Sequence, residues 1–96
     1  MIGVVATLKA QAGKGAELEE IFREFIATVK ASEPGCLSYQ LTRSRSEPDT
    51  YKTLELYRDQ AAVQAHETAD YTRAAGARIL ACLEGRVPID YLDVVE

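Results

Sequence analysis

Apolar residues follow two different periods in the first third of the chain. Over residues 2–9 they occupy every second position, which is the repeat of a half-buried β-strand (Ile2, Val4, Ala6 and Leu8). Over residues 16–32 they recur every three or four positions, which predicts an amphipathic helix (Leu18, Ile21, Phe22, Phe25, Ile26 and Val29). Pro34 and Gly35 should end this helix, because proline cannot continue the hydrogen-bond ladder and glycine accepts left-handed backbone angles.

The remainder of the chain predicts three more strands and a helix in two pieces. Residues 36–44 and 50–57 should form a hairpin, because turn-forming residues separate them. Asp59 can cap a helix over residues 59–67 and Asp70 a second over residues 70–83, and residues 86–95 give the last strand. The order βαββαβ predicts an α+β fold of the ferredoxin-like, split βαβ type, with a four-stranded antiparallel sheet and helices on one face. Because 96 residues support one core, residues 1–96 should form a single domain.

The strand pattern also predicts a partner for the second face of the sheet. The first strand carries Val5 in the phase opposite to its main apolar row, and the last strand is apolar in both phases. A sheet face that is apolar but carries no helices must be covered, and a second copy of the chain is the simplest cover. We therefore expect a homodimer in which two sheets face each other as a dimeric α+β barrel.

Composition and charge argue against several classes of function. Fifteen acidic and eleven basic side chains are scattered along the chain and give a net charge of −4, so nucleic acid is not an expected partner. No apolar stretch approaches the roughly 20 residues that span a bilayer, and residues 1–6 lack the basic start of a signal peptide. These features predict a cytoplasmic protein without a membrane partner. Zinc-type Cys/His spacings and HExxH, GxSxG and GxGxxG motifs are absent, so we expect neither a metal nor a dinucleotide cofactor.

The only histidine, His66, is the sharpest candidate for chemistry. It shares a helix face with Ala62 and Val63 and should point inward. Because imidazole changes its charge near neutral pH, an inward histidine can remove a proton from an acidic carbon or hydroxyl. The alternative is a buried histidine that only bonds a backbone carbonyl, and the residues alone favour that structural role.

Five further side chains are candidates for the same site. Glu55 and Tyr57 share a strand phase, so the carboxylate could orient the imidazole while the tyrosine holds a substrate oxygen. Their alternatives are a cross-strand ion pair and ordinary aromatic packing. Tyr71 could line the same pocket or simply pack. Arg43 and Arg45 could bind an anionic substrate, or they could be solvated charges at the hairpin tip.

Two segments resemble the antibiotic biosynthesis monooxygenase family. Residues 31–41 read ASEPGCLSYQL and are followed by Gln64-Ala65-His66-Glu67, in the order and spacing of that family. Residues 53–59 are similar to the family's Glu-x-Trp-x-Asp segment, with Tyr57 in place of the tryptophan. The second histidine that family members often carry is absent, because Asp70 stands in that region. Haem-degrading relatives carry an asparagine where this chain has Thr7, and a tryptophan that it lacks, so haem is disfavoured.

The resemblance implies a function that the residues alone do not. It implies a cofactor-independent monooxygenase, built as a dimeric barrel, that oxidises a small phenolic or quinol-type substrate with molecular oxygen. It also reverses the preference for His66, which becomes the catalytic base, with Glu55 and Tyr57 as further catalytic candidates. Residues 57–66 are similar to a relative that processes a phosphorylated sugar, so an isomerase acting on a small phosphorylated ketone stays open. A non-catalytic ligand-binding barrel is the third possibility.

Overall fold

Four antiparallel strands form one sheet in the order β2-β3-β1-β4, and three helices pack against one of its faces. The computed structural model describes all residues from Met1 to Glu96. The elements are β1 (Ile2–Lys9), α1 (Gly15–Ser32), β2 (Cys36–Arg43), β3 (Thr50–Tyr57), α2 (Gln60–Thr68), α3 (Asp70–Ala81) and β4 (Ile89–Asp93). This order and strand arrangement confirm the predicted ferredoxin-like α+β fold, including the second helix in two pieces. No helix has the length and apolar character needed to cross a membrane.

The strand register fixes which side chains face the helices. Tyr39 pairs with Glu55, Glu55 with Val4 and Val4 with Tyr91, so these four residues form one row across the sheet. Val4 and Tyr39 are buried beneath the helices, and the whole row therefore lies on the helix side. The predicted apolar stripe of α1 packs onto this face and supplies much of the core (Leu18, Ile21, Phe22, Phe25 and Val29).

The opposite face of the sheet carries an uncovered apolar strip. Leu54 and Leu92 are neighbours of the helix-facing Glu55 and Tyr91, so their side chains point the other way. They are 46% and 51% exposed. Large apolar side chains in a contiguous exposed strip mark an interaction surface more often than a bare solvent face.

The two helix caps proposed from the sequence have different outcomes. Asp59 caps α2 as predicted, because its side chain accepts a hydrogen bond from the backbone N–H of Ala62 at 2.9 Å. The cap predicted for Asp70 is wrong. Ala69 occupies the N-cap of α3 without any side-chain bond, and Asp70 is the first helical residue. Its negative charge there still complements the positive end of the helix.

Gly35 and β4 also depart from the prediction. The backbone of Gly35 is not left-handed. Its role is close packing, because a Cβ at this position would lie 2.6 Å from the Cβ of Ala62 on α2. The last strand covers five residues rather than residues 86–95. Pro88 lies just before it and offers only its carbonyl, which accepts a bond from the N–H of Thr7 at 3.0 Å.

Candidate functional site

His66 lies in the last turn of α2 and points into the protein. It and Val63 are the buried residues of this helix, and they are three positions apart on one face. The rings of Phe25, Tyr39 and Tyr57 surround the imidazole, with centroids 5.4 to 5.6 Å from its own. The predicted inward orientation is confirmed, and three different elements, α1, β2 and β3, hold the ring in place.

A buried carboxylate contacts the imidazole, and it belongs to Glu33. The His66 Nδ1 atom lies 3.0 and 3.1 Å from the two carboxylate oxygens of Glu33, and each side chain is 8% exposed. The hydroxyl of Tyr71 donates a hydrogen bond to the same carboxylate. Burial, together with this bond, raises the pKa of Tyr71 to about 12, so its hydroxyl stays a neutral donor at physiological pH. Glu33 is thus held from two sides.

This contact sets the role of each imidazole nitrogen. Because a carboxylate only accepts hydrogen bonds, Nδ1 must carry the proton that points at Glu33. In the neutral ring Nε2 is then the free base. Nε2 has no hydrogen-bond partner within the chain. It is not fully buried, however, because the only fully buried side-chain polar atom without a partner is Thr72 Oγ1. Nε2 therefore keeps access to open space beside it.

That open space is a cavity of about 350 Å³ between the sheet and the helices. Its walls are mainly apolar (Val4, Ala6, Phe25, Tyr39, Ile79 and Ile89), and His66, Glu55, Glu67 and Thr72 supply the polar groups. A volume of this size lies at the lower end of the range for small-molecule sites. An imidazole with one free nitrogen therefore faces a chamber that can hold a small organic molecule.

Glu55 lines the same cavity but does not contact the imidazole. Its carboxylate accepts hydrogen bonds from the hydroxyls of Thr53 and Tyr57, both at 2.6 Å. Burial raises the pKa of Glu55, and these two bonds oppose part of that effect. The imidazole contact expected of Glu55 is made by Glu33, and the alternative of a cross-strand ion pair is also not found. Glu55 instead presents a fixed hydrogen-bonding group to the cavity.

The structure gathers four of the six predicted residues and leaves two outside. Tyr57 is fully buried behind the cavity wall, where its hydroxyl holds Glu55. Tyr71 acts on His66 through Glu33. Arg43 lies 3.9 Å from Glu19 in a separate groove between α1 and β2, and Arg45 is exposed in the hairpin turn. Neither arginine lines the cavity beside His66.

Sequence reasoning missed Glu33, although one signal was available. Glu33 is the C-cap of α1, where the negative end of the helix dipole disfavours a carboxylate. An acidic residue placed against the dipole needs a compensating partner, and here His66 and the Tyr71 hydroxyl supply it. Tyr39 is buried in the core, and its ring also forms part of the cavity wall.

Comparisons with known proteins point to one family. The family model described as antibiotic biosynthesis monooxygenase matches residues 1–78. A solved structure from Caulobacter crescentus CB15, named a putative antibiotic biosynthesis monooxygenase, is 54% identical with a TM-score of 0.96, and the match covers 99% of this chain and 90% of that one. A Pseudomonas aeruginosa structure is 28% identical with a TM-score of 0.85, over 99% and 94% of the two chains.

More distant structures share the fold. A conserved protein from Methanosarcina mazei Go1 is 22% identical with a TM-score of 0.89, and the match covers 95% of this chain and 89% of that one. None of the curated proteins matches the sequence.

Proposed function

The chain belongs to the antibiotic biosynthesis monooxygenase family, and from this premise we propose that it is a cofactor-independent monooxygenase that oxidises a small phenolic or quinol-type substrate with molecular oxygen. The observation that carries the proposal is the Glu33–His66 pair, which leaves Nε2 as the free base beside the cavity. A general monooxygenase role agrees with the names of the family and of its Caulobacter member.

The first step is removal of a proton from the substrate. His66 Nε2 accepts the proton of a substrate hydroxyl, and the imidazolium that forms is stabilised by the Glu33 carboxylate on Nδ1. A general base in this position contributes typically 10²- to 10⁴-fold to a rate. Both side chains of this pair are only 8% exposed, and this burial strengthens the attraction between imidazolium and carboxylate. His66 thus converts a neutral phenol into an electron-rich phenolate.

The second step is reaction of the phenolate with molecular oxygen. One electron passes from the phenolate to O₂, and the resulting phenoxyl radical and superoxide combine to form a carbon–oxygen bond. The peroxide then breaks its O–O bond and loses water, so that a C–H group of the ring becomes C=O. One oxygen atom enters the product and the other leaves as water, with both hydrogens of that water taken from the substrate. Protein residues need only bind, orient and move the proton.

We propose supporting roles for the neighbouring residues. Glu55 faces the cavity and accepts a hydrogen bond from a second substrate hydroxyl, while Tyr57 and Thr53 fix the carboxylate from behind. Tyr71 positions Glu33 and does not touch the substrate. Glu55, Tyr57 and Thr53 project from β3 and Tyr71 from α3, which favours a fixed geometry for proton transfer.

We also propose that the protein is a homodimer formed through the uncovered sheet face. The strip that contains Leu54 and Leu92 supplies the apolar surface for this contact. Placing a carboxylate in its centre, as in Leu54→Glu, should convert the dimer into a monomer, because the charge would be buried without a partner. Sedimentation velocity would measure this. A wild-type monomer at high concentration would contradict the proposed dimer.

Oxygen consumption tests the proposed activity. Wild type and His66→Ala would be stripped of metals, checked for bound flavin and mixed with a panel of quinols and anthrone-like phenols in an oxygen electrode. We expect uptake by wild type and a loss of about 10²-fold or more in the variant. Exposed Glu84, which lies outside the cavity, provides a matched control as Glu84→Gln. Equal uptake by His66→Ala and wild type would refute the role of the base.

A further inference from the structure

A glycine stands in the middle of α3 although the fold does not require one there. Gly76 has no positive φ, so the backbone of the helix would accept any other residue with a Cβ. A Cβ at this position would have no packing neighbour within 4 Å, so no close approach excludes a side chain either. Glycine in a helix interior is less stable than alanine. Neither backbone geometry nor packing compensates for that loss.

The bare backbone of Gly76 borders the cavity beside His66. Thr72 and Ile79 line the same cavity, and they lie four positions before and three positions after Gly76. Residues at these spacings share one face of a helix, so a side chain at position 76 would project from the face that borders the cavity. The absence of a side chain at Gly76 therefore adds to the space that is open to a ligand.

Thr72, one turn earlier on this face, is a second feature that folding does not explain. Its Oγ1 is fully buried and has no hydrogen-bond partner. The other two helical threonines, Thr28 and Thr68, donate to the carbonyl four residues earlier, at 3.2 and 2.8 Å. For Thr72, in the first turn of α3, that carbonyl belongs to α2. A buried hydroxyl without a partner is destabilising, and a ligand that supplies an acceptor would remove this cost.

A rotation about χ1 would turn the Thr72 hydroxyl toward the cavity. Threonine in helices divides between two χ1 rotamers, and Thr72 already lines the cavity wall. His66 Nε2 and the carboxylates of Glu55 and Glu67 on the same wall only accept hydrogen bonds. Thr72 would add a hydroxyl donor to this set, on the side of the chamber that α3 forms.

Gly76 lies away from the proposed base. Its position is six residues after the first residue of α3, about 9 Å along the helix axis, whereas His66 is in the last turn of α2. In the proposed reaction the reacting hydroxyl of the substrate lies at Nε2 of His66. Gly76 therefore borders a part of the substrate that is remote from the reaction.

From these observations we infer that Thr72 and Gly76 form a subsite on α3 that receives the end of the substrate remote from His66. Gly76 sets how far the substrate can extend along α3, and the Thr72 hydroxyl donates a hydrogen bond to an oxygen atom at that end. The subsite rests on the proposed function, because it belongs to the same cavity. Gly76 is thus a specificity-determining residue and Thr72 a positioning residue.

Substitutions at the two positions should have opposite effects on stability and binding. Gly76→Ala places a better helix former in open space, so Tm should rise by about 2 to 8 °C. The added methyl group should also occupy part of the subsite. Thr72→Val removes the unpaired hydroxyl and should not lower Tm, but it also removes the donor. A merely structural role of either residue would instead lower Tm on substitution.

Binding without turnover tests the subsite. The probes are phenol, a naphthol and a naphthalenediol with one hydroxyl on each ring, titrated calorimetrically under argon at neutral pH. Wild type should bind the naphthol about tenfold more tightly than phenol, because the second ring adds apolar contact. It should bind the diol about 2- to 10-fold more tightly than the naphthol, because the second hydroxyl meets Thr72.

Each variant should change one of these two preferences. Gly76→Ala should reduce the preference for naphthol over phenol about threefold or more, and the larger Gly76→Leu should abolish it. Thr72→Val should abolish the preference for the diol over the naphthol, whereas Thr72→Ser should keep it. The matched control is Ala77→Gly, at an exposed position outside the cavity, which should lower Tm and leave both preferences unchanged. The double variant Gly76→Ala/Ala77→Gly should lose the gain in Tm but keep the altered preference.

Any of four results would overturn the inference. They are a lower Tm for Gly76→Ala, a naphthol preference that Gly76→Ala leaves unchanged, a diol preference that Thr72→Val leaves unchanged, and no binding of any probe. The expected binding pattern without oxygen uptake in air would support the subsite while contradicting the monooxygenase proposal. Oxygen uptake that depends on His66, together with unchanged preferences, would do the reverse.

Discussion

Glu33→Gln is the substitution that most directly tests the proposed base. It removes the negative charge beside His66 Nδ1 but keeps the size of the side chain, and its amide oxygen can still accept the Nδ1 proton. Tyr71 can reorient its hydroxyl to accept from the amide nitrogen. The fold should therefore survive, and the change should act on the charge that stabilises the imidazolium.

The size of the effect follows from the contact distances. The carboxylate oxygens lie 3.0 and 3.1 Å from Nδ1. With about 4 Å between the charge centres and an effective dielectric constant of about 20, the lost attraction is about 4 kcal/mol. The retained neutral hydrogen bond returns about 1 kcal/mol. The remaining loss of about 3 kcal/mol corresponds to roughly a 10²-fold lower kcat.

Two measurements check this reasoning. Because the chain has one histidine, nitrogen-15 NMR of tag-free protein reports the His66 tautomer without ambiguity, and we expect a proton on Nδ1 in wild type. Steady-state oxygen uptake then gives the change in kcat, with exposed Glu24→Gln on the same helix as the matched control. Tyr71→Phe should cost less than Glu33→Gln, because it removes only one bond to the carboxylate. A wild-type ring protonated on Nε2 alone, or an unchanged kcat in Glu33→Gln, would refute the argument.

Three further predictions concern stability and reactivity. Burial raises the pKa of Glu55, so the folded state keeps a proton that the unfolded chain loses above about pH 4.3, and native stability falls as the pH rises through the folded-state pKa. Glu55→Gln cannot ionise and lacks this fall in stability. The difference in unfolding free energy between the variant and wild type, measured by denaturant titration, should therefore shift in favour of the variant as the pH rises through the folded-state pKa. A difference that stays constant with pH would contradict the pKa shift. Gly35→Ala should lower the free energy of unfolding by about 1 to 3 kcal/mol, because the added Cβ overpacks against Ala62. Chemical denaturation of the double variant with Ala62→Gly should show that part of this free energy is recovered. No recovery would show that the strain does not come from the contact with Ala62. Burial, followed by the Glu33 charge, raises the pKa of the Cys36 thiol, so iodoacetamide at neutral pH should alkylate it slowly until urea unfolds the chain; equally fast labelling of the folded protein would show an exposed thiolate.

The local periodicity of apolar residues was sufficient to predict most of the fold. The bounds predicted for β1 and β3 agree with the structure, and α1 differs by one residue at its start. These elements are long and strongly periodic, so the residues within each element are enough to show which of its faces is buried. β4 is shorter than predicted, because its length is set by the backbone hydrogen bonds to β1 and hydropathy alone does not show where that ladder stops.

The direction in which each site residue faces was predictable from the sequence, but the residues that they contact were not. His66 faces inward and Glu55 faces the same side of the sheet as Tyr57, as the repeats of helix and strand require. The partner of His66 is Glu33, which lies 33 positions earlier in the chain. Such a contact depends on how closely α1 and α2 approach, and that distance is set partly by the absent side chain of Gly35. No pattern within one element contains this information.

The break at Ala69 determines whether a catalytic pair can exist at all. This residue has extended backbone angles between α2 and α3. In one continuous helix, His66 and Tyr71 would be about 140° apart around the axis and could not reach a common group. The change of direction brings both side chains to the Glu33 carboxylate. Joining α2 and α3 into one continuous helix to gain stability would therefore separate His66 and Tyr71 from a common contact with Glu33. An engineer who wishes to stabilise the domain should keep the residues at this junction unchanged.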